Sequence, residues 1–306
     1  SHVNCDLYRR AVDMALRDMD AAGEAPPPVP FAVIVMGSGG RGESSFTADQ
    51  DNGFVIADYP DAEHDTVDGA FRVLAERMTA LLDRVGLPLC RGGVMATNPL
   101  WRKTASQWRA QMDYWIHHRD EGIVRLGDIF FDFRPVYGDL SLAASLRGYV
   151  TKRIGTPAFL RTMYAVQADH HTATGLFGRL RGDTRGPHRG QINLKYRASL
   201  PLVEAIRLLA LREKVTETGT LARIAALADA GVLDGDEAGS LSRAFALITQ
   251  LTLRCQIADF KAGRPVDYWV RARDLSSRER RQLTESLDAV EDLRGRVRTD
   301  FSGALF

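Results

Sequence analysis

A glycine-rich segment between two apolar runs constrains the fold of this 306-residue chain more than any other feature. Residues 31–36 (FAVIVM) and 53–57 (GFVIA) have the length and the branched side chains of buried strands. Glycine occupies four of the six positions 37–42, where it permits a sharp turn or brings the backbone close to a ligand. The sequence therefore predicts two neighbouring strands joined by a glycine-rich turn and a polar loop.

Two aspartates, Asp49 and Asp51, come just before the second apolar run. Residues two apart share one face of an extended chain, so we expect both carboxylates to point the same way. Magnesium takes oxygen ligands and is often shared between carboxylates and substrate phosphates, and backbone N–H groups of a glycine-rich turn can bind those phosphates. The pattern favours a site for a divalent cation and a polyphosphate.

Dinucleotide binding is an alternative for the same segment. Residues 37–42 fit G-x-G-x-x-G after a strand, and Asp58 lies near the distance expected for a ribose-binding acid. That fingerprint also needs a helix that opens at the third glycine. Residues 43–52 have no helical apolar period and lead into an Asn-Gly turn signal, so the context disfavours a dinucleotide site.

Residues 37–52 (GSGGRGESSFTADQDN) resemble the GS-x-GR-x-E…(S/T)-D-x-D signature of the nucleotidyltransferase superfamily typified by DNA polymerase beta. Within it, the chain is similar to the bacterial protein-PII uridylyltransferases and glutamine-synthetase adenylyltransferases of nitrogen control. It most resembles the DUF294-type family of nucleotidyltransferases, often found with CBS or cyclic-nucleotide-binding domains. The segments 101–108 (WRKTASQW), 130–139 (FFDFRPVYGD) and 194–195 (LK) add to this resemblance.

The resemblance and the hydrophobic pattern together imply an α+β protein. We expect a small mixed-sheet nucleotidyltransferase domain over residues 1–150 and an all-α helical-bundle domain, the substrate-binding domain, over residues 151–306. A short strand is expected within 87–96, and no convincing strand appears after residue 150. The expected helices cover residues 4–20, 71–85, 157–180, 199–213, 220–230, 237–262 and 276–298.

Residues 129–136 (IFFDFRPV) are predicted to form a third strand, with Pro135 near its edge or end. Asp132 and Arg134 then alternate with phenylalanines and share a face. The resemblance gives Asp132 the role of a third catalytic carboxylate. The alternative is a surface ion pair between Asp132 and Arg134.

The resemblance implies three catalytic residues, Asp49, Asp51 and Asp132, which would also be the metal ligands. The cofactor would be Mg²⁺, with two ions bound, or Mn²⁺ in its place. Paired metals stabilise both the entering and the leaving oxygens of an in-line displacement at phosphorus. The residues implied for nucleotide binding are Gly37, Ser38, Gly39, Arg41, Arg134 and Lys195.

The implied activity is transfer of a nucleoside monophosphate from a nucleoside triphosphate, ATP or UTP, to an acceptor hydroxyl, with a protein as acceptor, in signal transduction. A catalytically inactive nucleotide-binding regulatory module is the alternative. A nucleic-acid substrate is disfavoured, because the formal net charge is only +1 and no basic, aromatic-rich stretch stands out.

Three further features of the sequence concern the compartment of the protein, its relation to membranes and its N-terminus. Cys5, Cys90 and Cys255 are scattered, without a C-x-x-C pair, which favours a reducing compartment and no structural zinc. The sequence has no apolar run of 18 residues, so we expect a cytoplasmic protein that does not enter a membrane. It opens with Ser1-His2, and regulatory domains preceding residue 1 are expected from the resemblance.

Trp101, Trp108 and Trp115 recur every seven residues, which places them on one face of a helix. They could form a platform on which a base stacks, or a stripe that packs into the core. The core stripe is favoured, because aromatic residues at helical spacing usually pack.

Overall fold

The computed structural model describes residues 2–118, 121–174 and 180–302. The chain divides into two compact units, residues 1–153 and residues 154–306. The helices of the first unit are α1 (His2–Ala21), α2 (Gly37–Arg41), α3 (His64–Arg84), α4 (Ala105–His117), α5 (Glu121–Phe130) and α6 (Leu140–Ile154), which ends at the boundary. Its strands are β1 (Phe31–Val35), β2 (Asn52–Ile56), β3 (Arg102–Thr104) and β4 (Arg134–Gly138).

The four strands of the first unit form one mixed sheet in the order β3-β2-β1-β4. Strand β1 pairs antiparallel with β2, so that Phe31 lies opposite Ile56 and Val35 opposite Asn52. Strand β4 also pairs antiparallel with β1, whereas β3 runs parallel to β2. The small mixed sheet and the two neighbouring strands on either side of the glycine-rich segment are thus confirmed.

One face of this sheet is covered by α1 and α3. Val33, Val35 and Phe54 alternate along their strands and share a buried core with Val12 of α1 and Leu74 of α3. Both helices arise from apolar residues at a 3.6-residue spacing, as predicted, because each has one stripe to bury against the sheet. The helix expected over residues 71–85 begins earlier, at His64, and ends at Arg84.

A separate aromatic cluster contains the three tryptophans, each exposed by no more than 1 %. Trp108 stacks on Phe130 at 4.6 Å between ring centroids, and its indole N–H donates to the Phe54 carbonyl at 2.9 Å. Trp101 lies in a short 3₁₀ turn before α4 and not on the helix itself. The core stripe is therefore confirmed, and a base-stacking platform is excluded because no indole face is open to a ligand.

The strand predicted over residues 129–136 is wrong in its first half. Helix α5 continues to Phe130, a turn follows, and β4 begins only at Arg134. The run Ile-Phe-Phe-Asp-Phe reads as a strand because aromatic residues favour strands locally. Packing against the tryptophans holds Phe130 in a helix instead, since it contacts Trp108 and also Trp115 at 5.7 Å.

The short strand expected within residues 87–96 is not found among the described residues. Leu89 forms only a single bridge with Gln50, and the third strand of the sheet comes later, at Arg102. This segment is rich in glycine, with Gly92 and Gly93 next to each other, which weakens strand formation.

The second unit is mainly helical. The four helices expected from the sequence after residue 195 are confirmed within a few residues at each end. A capping box opens α11, in which Ser276 accepts from the Glu279 N–H and Glu279 accepts from the Ser276 N–H. The helices are α7 (Pro157–Gln167), α8 (Leu200–Arg212), α9 (Thr220–Asp229), α10 (Gly235–Lys261) and α11 (Ser277–Phe301).

Two expectations for the second unit are wrong. It is not all-α, because β5 (Gln191–Asn193) and β6 (Trp269–Arg271) pair antiparallel. Each strand has three residues, too few to show a two-residue alternation in the sequence. The helix expected over 157–180 ends at Gln167, and residues 175–179 lie outside the described residues.

None of the helices in the described part of the chain combines the length and the hydrophobicity needed to cross a membrane.

Trp108→Ala should destabilise the first unit by about 3–5 kcal/mol, because it empties a fully buried site and leaves the Phe54 carbonyl without its indole donor. Urea denaturation followed by circular dichroism measures the change. The matched control is Tyr114→Ala on the same helix, where the side chain is 49 % exposed and the expected loss is below about 1 kcal/mol. Equal losses in the two variants would contradict the assigned core.

Candidate functional site

The glycine-rich turn after β1 is a helix of five residues, α2, in which Gly37, Ser38 and Gly39 come first. The sequence predicted a turn without a helix at this point, and that expectation is wrong. The helix ends at Gly42, whose φ of +74° is the left-handed conformation that glycine adopts at low cost. The dinucleotide fingerprint would need a helix to open at this third glycine, and here a helix ends.

Two of the glycines are required by close approach. A Cβ at Gly40 would lie 1.8 Å from the carbonyl oxygen of Asp132. A Cβ at Gly37 would lie 2.8 Å from Oδ2 of Asp51, and the φ of Gly37 is +53°. The turn is therefore wedged between the Asp51 carboxylate on one side and the Asp132 backbone on the other.

The structure brings Asp49 and Asp51 together. One ligand atom from each, and the Sγ of Cys90, all lie within 4.8 Å of one another. Between the two aspartates, Gln50 points the other way and is fully buried, where its amide donates to the carbonyls of Thr79 and Leu87. This alternation of side chains is the reason that both carboxylates face the same space.

The donor set fits a hard divalent cation. Asp49 is exposed and Asp51 half-buried, so two carboxylates can turn oxygen atoms toward one ion. Burial raises the pKa of the Cys90 thiol to about 11, and its hydrogen bond to Asp51 acts in the same direction. A protonated thiol is a poor ligand for Mg²⁺ or Mn²⁺, so the two aspartates are the candidate ligands of this group.

Asp132 lies in the turn between α5 and β4, and its side chain is fully buried. Its Oδ2 accepts a hydrogen bond from Nη1 of Arg41 at 2.6 Å, and Nε of Arg41 donates to Glu43 at 2.7 Å. The carboxylate does not join the group formed by Asp49, Asp51 and Cys90 within the described residues. The expectation that Asp132 lies on a strand is therefore wrong, whereas its role as the third carboxylate stays a prediction.

Arg134 begins β4, next to β1. Its Nη2 lies 3.1 Å from the Sγ of Cys5 and 3.4 Å from the carbonyl oxygen of Gly39. The guanidinium thus joins α1, α2 and the sheet. The surface ion pair offered as an alternative for Asp132 is excluded, because the Asp132 carboxylate is buried and bound to Arg41.

Helix α1 closes one side of the site. Its residues Asn4, Cys5 and Tyr8 line the same pocket as Asp49 and Asp51. Burial raises the pKa of Tyr8, and the negative charges of the two aspartates raise it further. The sequence pattern predicted α1 only as an amphipathic helix and held no signal that it reaches the site.

Glu43 is a further residue that the predicted site set lacked. Its carboxylate is about as exposed as the Arg41 side chain that it binds, 15 % against 13 %. The signal was present, because Glu43 is the glutamate of the GR-x-E signature quoted above.

Lys195 belongs to the second unit. It opens a π-helical turn, Lys195–Ser199, and its ammonium lies 5.1 Å from the ring centroid of Tyr268 and 5.7 Å from that of Tyr196. These are cation–π contacts within its own unit. A role for Lys195 in nucleotide binding stays a prediction.

A glycine turn wedged against paired aspartates, on a small mixed sheet that precedes a helical region, is the arrangement expected of a nucleotidyltransferase. Family models agree over most of the chain. Residues 1–122 match the family described as "Putative nucleotidyltransferase DUF294", and residues 157–301 match its "Putative nucleotidyltransferase substrate binding domain". The chain belongs to this family of nucleotidyltransferases. A search of curated proteins gave no match.

Gly40→Ala should destabilise the first unit by about 3 kcal/mol or more, because the new methyl group overlaps the Asp132 backbone and cannot move away from it. Gly39→Ala is the matched control. Its Cβ would lie 3.7 Å from Cβ of Val35, which is an ordinary contact, and alanine favours a helix. Thermal unfolding of both variants measures the difference, and equal midpoints would show that the turn is not wedged.

Proposed function

We propose that the protein is a magnesium-dependent nucleotidyltransferase that moves a nucleoside monophosphate from ATP or UTP to an acceptor hydroxyl on a protein, in signal transduction. The observation that carries this proposal is the convergence of Asp49 and Asp51 beside the glycine turn. The unit of residues 1–153 would carry the transfer, and the unit of residues 154–306 would bind the acceptor.

The paired aspartates and the first residues of the glycine turn have separate parts in the proposal. Asp49 and Asp51 would hold Mg²⁺, or Mn²⁺ in its place, which when bound offsets the charge of the triphosphate. Gly37, Ser38 and Gly39 would bind phosphate oxygens through backbone N–H groups and the Ser38 hydroxyl. With no Cβ on these glycines, the phosphates can approach the backbone closely.

Arg41 and Asp132 have linked roles in the proposal. Arg41 would neutralise charge on the departing pyrophosphate, and Asp132 would act on the acceptor hydroxyl, where a second cation is expected. The two side chains are bound to each other at 2.6 Å, so this ion pair competes with the contacts that each would make with substrate. Arg134, held against the Gly39 carbonyl, would keep the turn in place and face the nucleotide.

The regulatory module, which binds a nucleotide and transfers nothing, remains a second candidate. The observation that favours it is the same ion pair, because a third carboxylate bound to Arg41 is not free to act on an acceptor. The three free thiols suit a reducing compartment, and a cytoplasmic location is part of either proposal.

The deciding experiment is incubation of the protein with Mg²⁺, a cell lysate and each nucleoside triphosphate labelled in turn on its α-phosphate. The transferase should label at least one protein with one or two of the nucleotides. Absence of label on every protein with every nucleotide would leave the regulatory module as the better account.

Asp49→Asn together with Asp51→Asn should abolish magnesium-dependent binding of the nucleoside triphosphate, because two neutral amides cannot hold the cation. Neither residue is buried in the core, so the fold should survive. Isothermal calorimetry with and without Mg²⁺ measures the affinity. Cys90→Ala, which removes the third member of the cluster, is the matched control and should bind as the wild type does. Unchanged affinity in the double variant would count against this site.

Asp132→Asn should keep most of the nucleotide affinity and lower the rate of transfer by about a hundredfold or more, since it removes a group that acts in the transition state. Glu43→Gln is the control, because it also removes one of the two acids bound to Arg41. Single-turnover rates and nucleotide affinities are compared for both variants. Equal loss of rate in the two would show that Asp132 works by holding Arg41 and not as a third carboxylate.

A further inference from the structure

A polar cavity of about 170 Å³ lies inside the second unit, between α7, α8 and α11. Side-chain contacts show how two of the helices that line the cavity are aligned with each other. Thr172, just past α7, bonds Glu291 of α11 at 2.5 Å, and Arg294 reaches the Ala168 carbonyl at 3.3 Å. Helix α11 therefore runs antiparallel to α7, and the cavity has two distinct ends.

One end of the cavity is acidic. Glu204 of α8 is only 5 % exposed, and its carboxylate meets Nδ1 of His170 at 2.9 Å. Glu291 lines the same end and accepts from Thr172 and from Arg294. Both carboxylate oxygens of Glu204 lie within hydrogen-bond distance of Nδ1 of His170, at 3.0 and 2.9 Å, and the side chain also lines the cavity. An ionised carboxylate has about four lone-pair sites, so Glu204 and Glu291 can each accept further hydrogen bonds. This end is suited to an ammonium group.

The other end of the cavity carries an exposed arginine. Arg298 lines it together with Tyr164. Arg298 follows Glu291 by seven residues on α11, which corresponds to about 10 Å along a helix. Unlike Arg294, which is bound to Glu291, Arg298 makes no side-chain ion pair with the residues described here. A planar guanidinium at this position suits a carboxylate.

Three small residues are among those that line the cavity: Ala168 just past the end of α7, Ala205 of α8 and Gly295 of α11. A Cβ at Gly295 would meet no atom within 4 Å, so the space beside it is open. Glycine is less favourable than alanine inside a helix, and here the missing side chain leaves room in the cavity.

We propose that this cavity binds a small zwitterion, a free α-amino acid, with its ammonium group toward Glu204 and its carboxylate toward Arg298. The volume is well above the ~10–15 Å³ that a cavity needs to hold one water molecule, so there is room for a small organic molecule. An anion alone would face two carboxylates, Glu204 and Glu291, and a cation alone would leave Arg298 unused. The inference goes beyond nucleotide transfer and does not depend on it.

The test uses the full chain and each of the twenty common amino acids as the probe, in separate thermal-unfolding measurements at millimolar concentration. At least one should raise the unfolding midpoint by about 2 °C or more, because a ligand bound only to the folded state stabilises it. The N-acetyl and the amide derivatives of that amino acid each lack one charge and should give no shift. No shift with any amino acid, or an equal shift with the derivatives, would overturn the proposal.

Variants of the cavity complete the test by calorimetry with the amino acid that binds. Gly295→Leu should fill the cavity and remove binding, and Gly148→Leu, at an exposed helical glycine with open space around it, is its control. Arg298→Ala should lower the affinity at least tenfold, whereas Arg278→Ala, exposed on the same helix, should not. Glu204→Gln should also lower the affinity for the amino acid. If that variant fails to fold, Gly295→Leu still tests whether the cavity is the binding site. Unchanged binding in Gly295→Leu or in Arg298→Ala would overturn the assignment.

Discussion

The ion pair between Arg41 and the fully buried Asp132 connects the parts of the first unit on which the site depends. It joins the end of α2 to the turn before β4, two segments 91 residues apart. Gly40, the residue before Arg41, packs against the Asp132 carbonyl, so the ion pair and the close packing connect the same two segments. Breaking a buried pair by removing one partner typically costs about 3–5 kcal/mol, because the other charge is left uncompensated. The ion pair and the packing of Gly40 against the Asp132 backbone together hold the glycine turn next to the turn before β4.

The paired aspartates depend on the sheet in a different way. They precede β2, whose five residues are all buried, and the register of β2 against β1 places the Asp51 carbonyl where it accepts from the Met36 N–H at 2.9 Å. The Gln50 side chain is held by hydrogen bonds to two carbonyl groups. A shift of one residue in the strand register would therefore turn both carboxylates away from the site and bury them. The proposed cation site is thus a consequence of strand register, whereas Asp132 is held by an ion pair that competes with its proposed role. In the proposed function, the contact with Arg41 therefore decides whether Asp132 can act on an acceptor.

Prediction from the sequence was accurate where one local pattern decides the outcome. The strands at either side of the glycine turn, the amphipathic helices and the capping box at Ser276 each depend on residues close together in the chain. It was inaccurate where distant residues decide. Phe130 ends a helix because tryptophans pack against it, and β5 pairs with β6 across more than seventy residues. Short strands of this kind are stabilised by pairing and burial, which no window of sequence contains.

For the site, the sequence by itself determined the residue types and the face that Asp49 and Asp51 share, because alternation along an extended chain is a local property. It also determined where glycine was needed, although not that Gly40 is needed for contact with Asp132. Only the tertiary structure decided that Asp132 binds Arg41, that Cys90 and Tyr8 border the aspartates, and that Glu204 and Arg298 line one cavity. These relations join residues from separate elements, and their distances follow from how helices and strands pack and not from spacing along the chain.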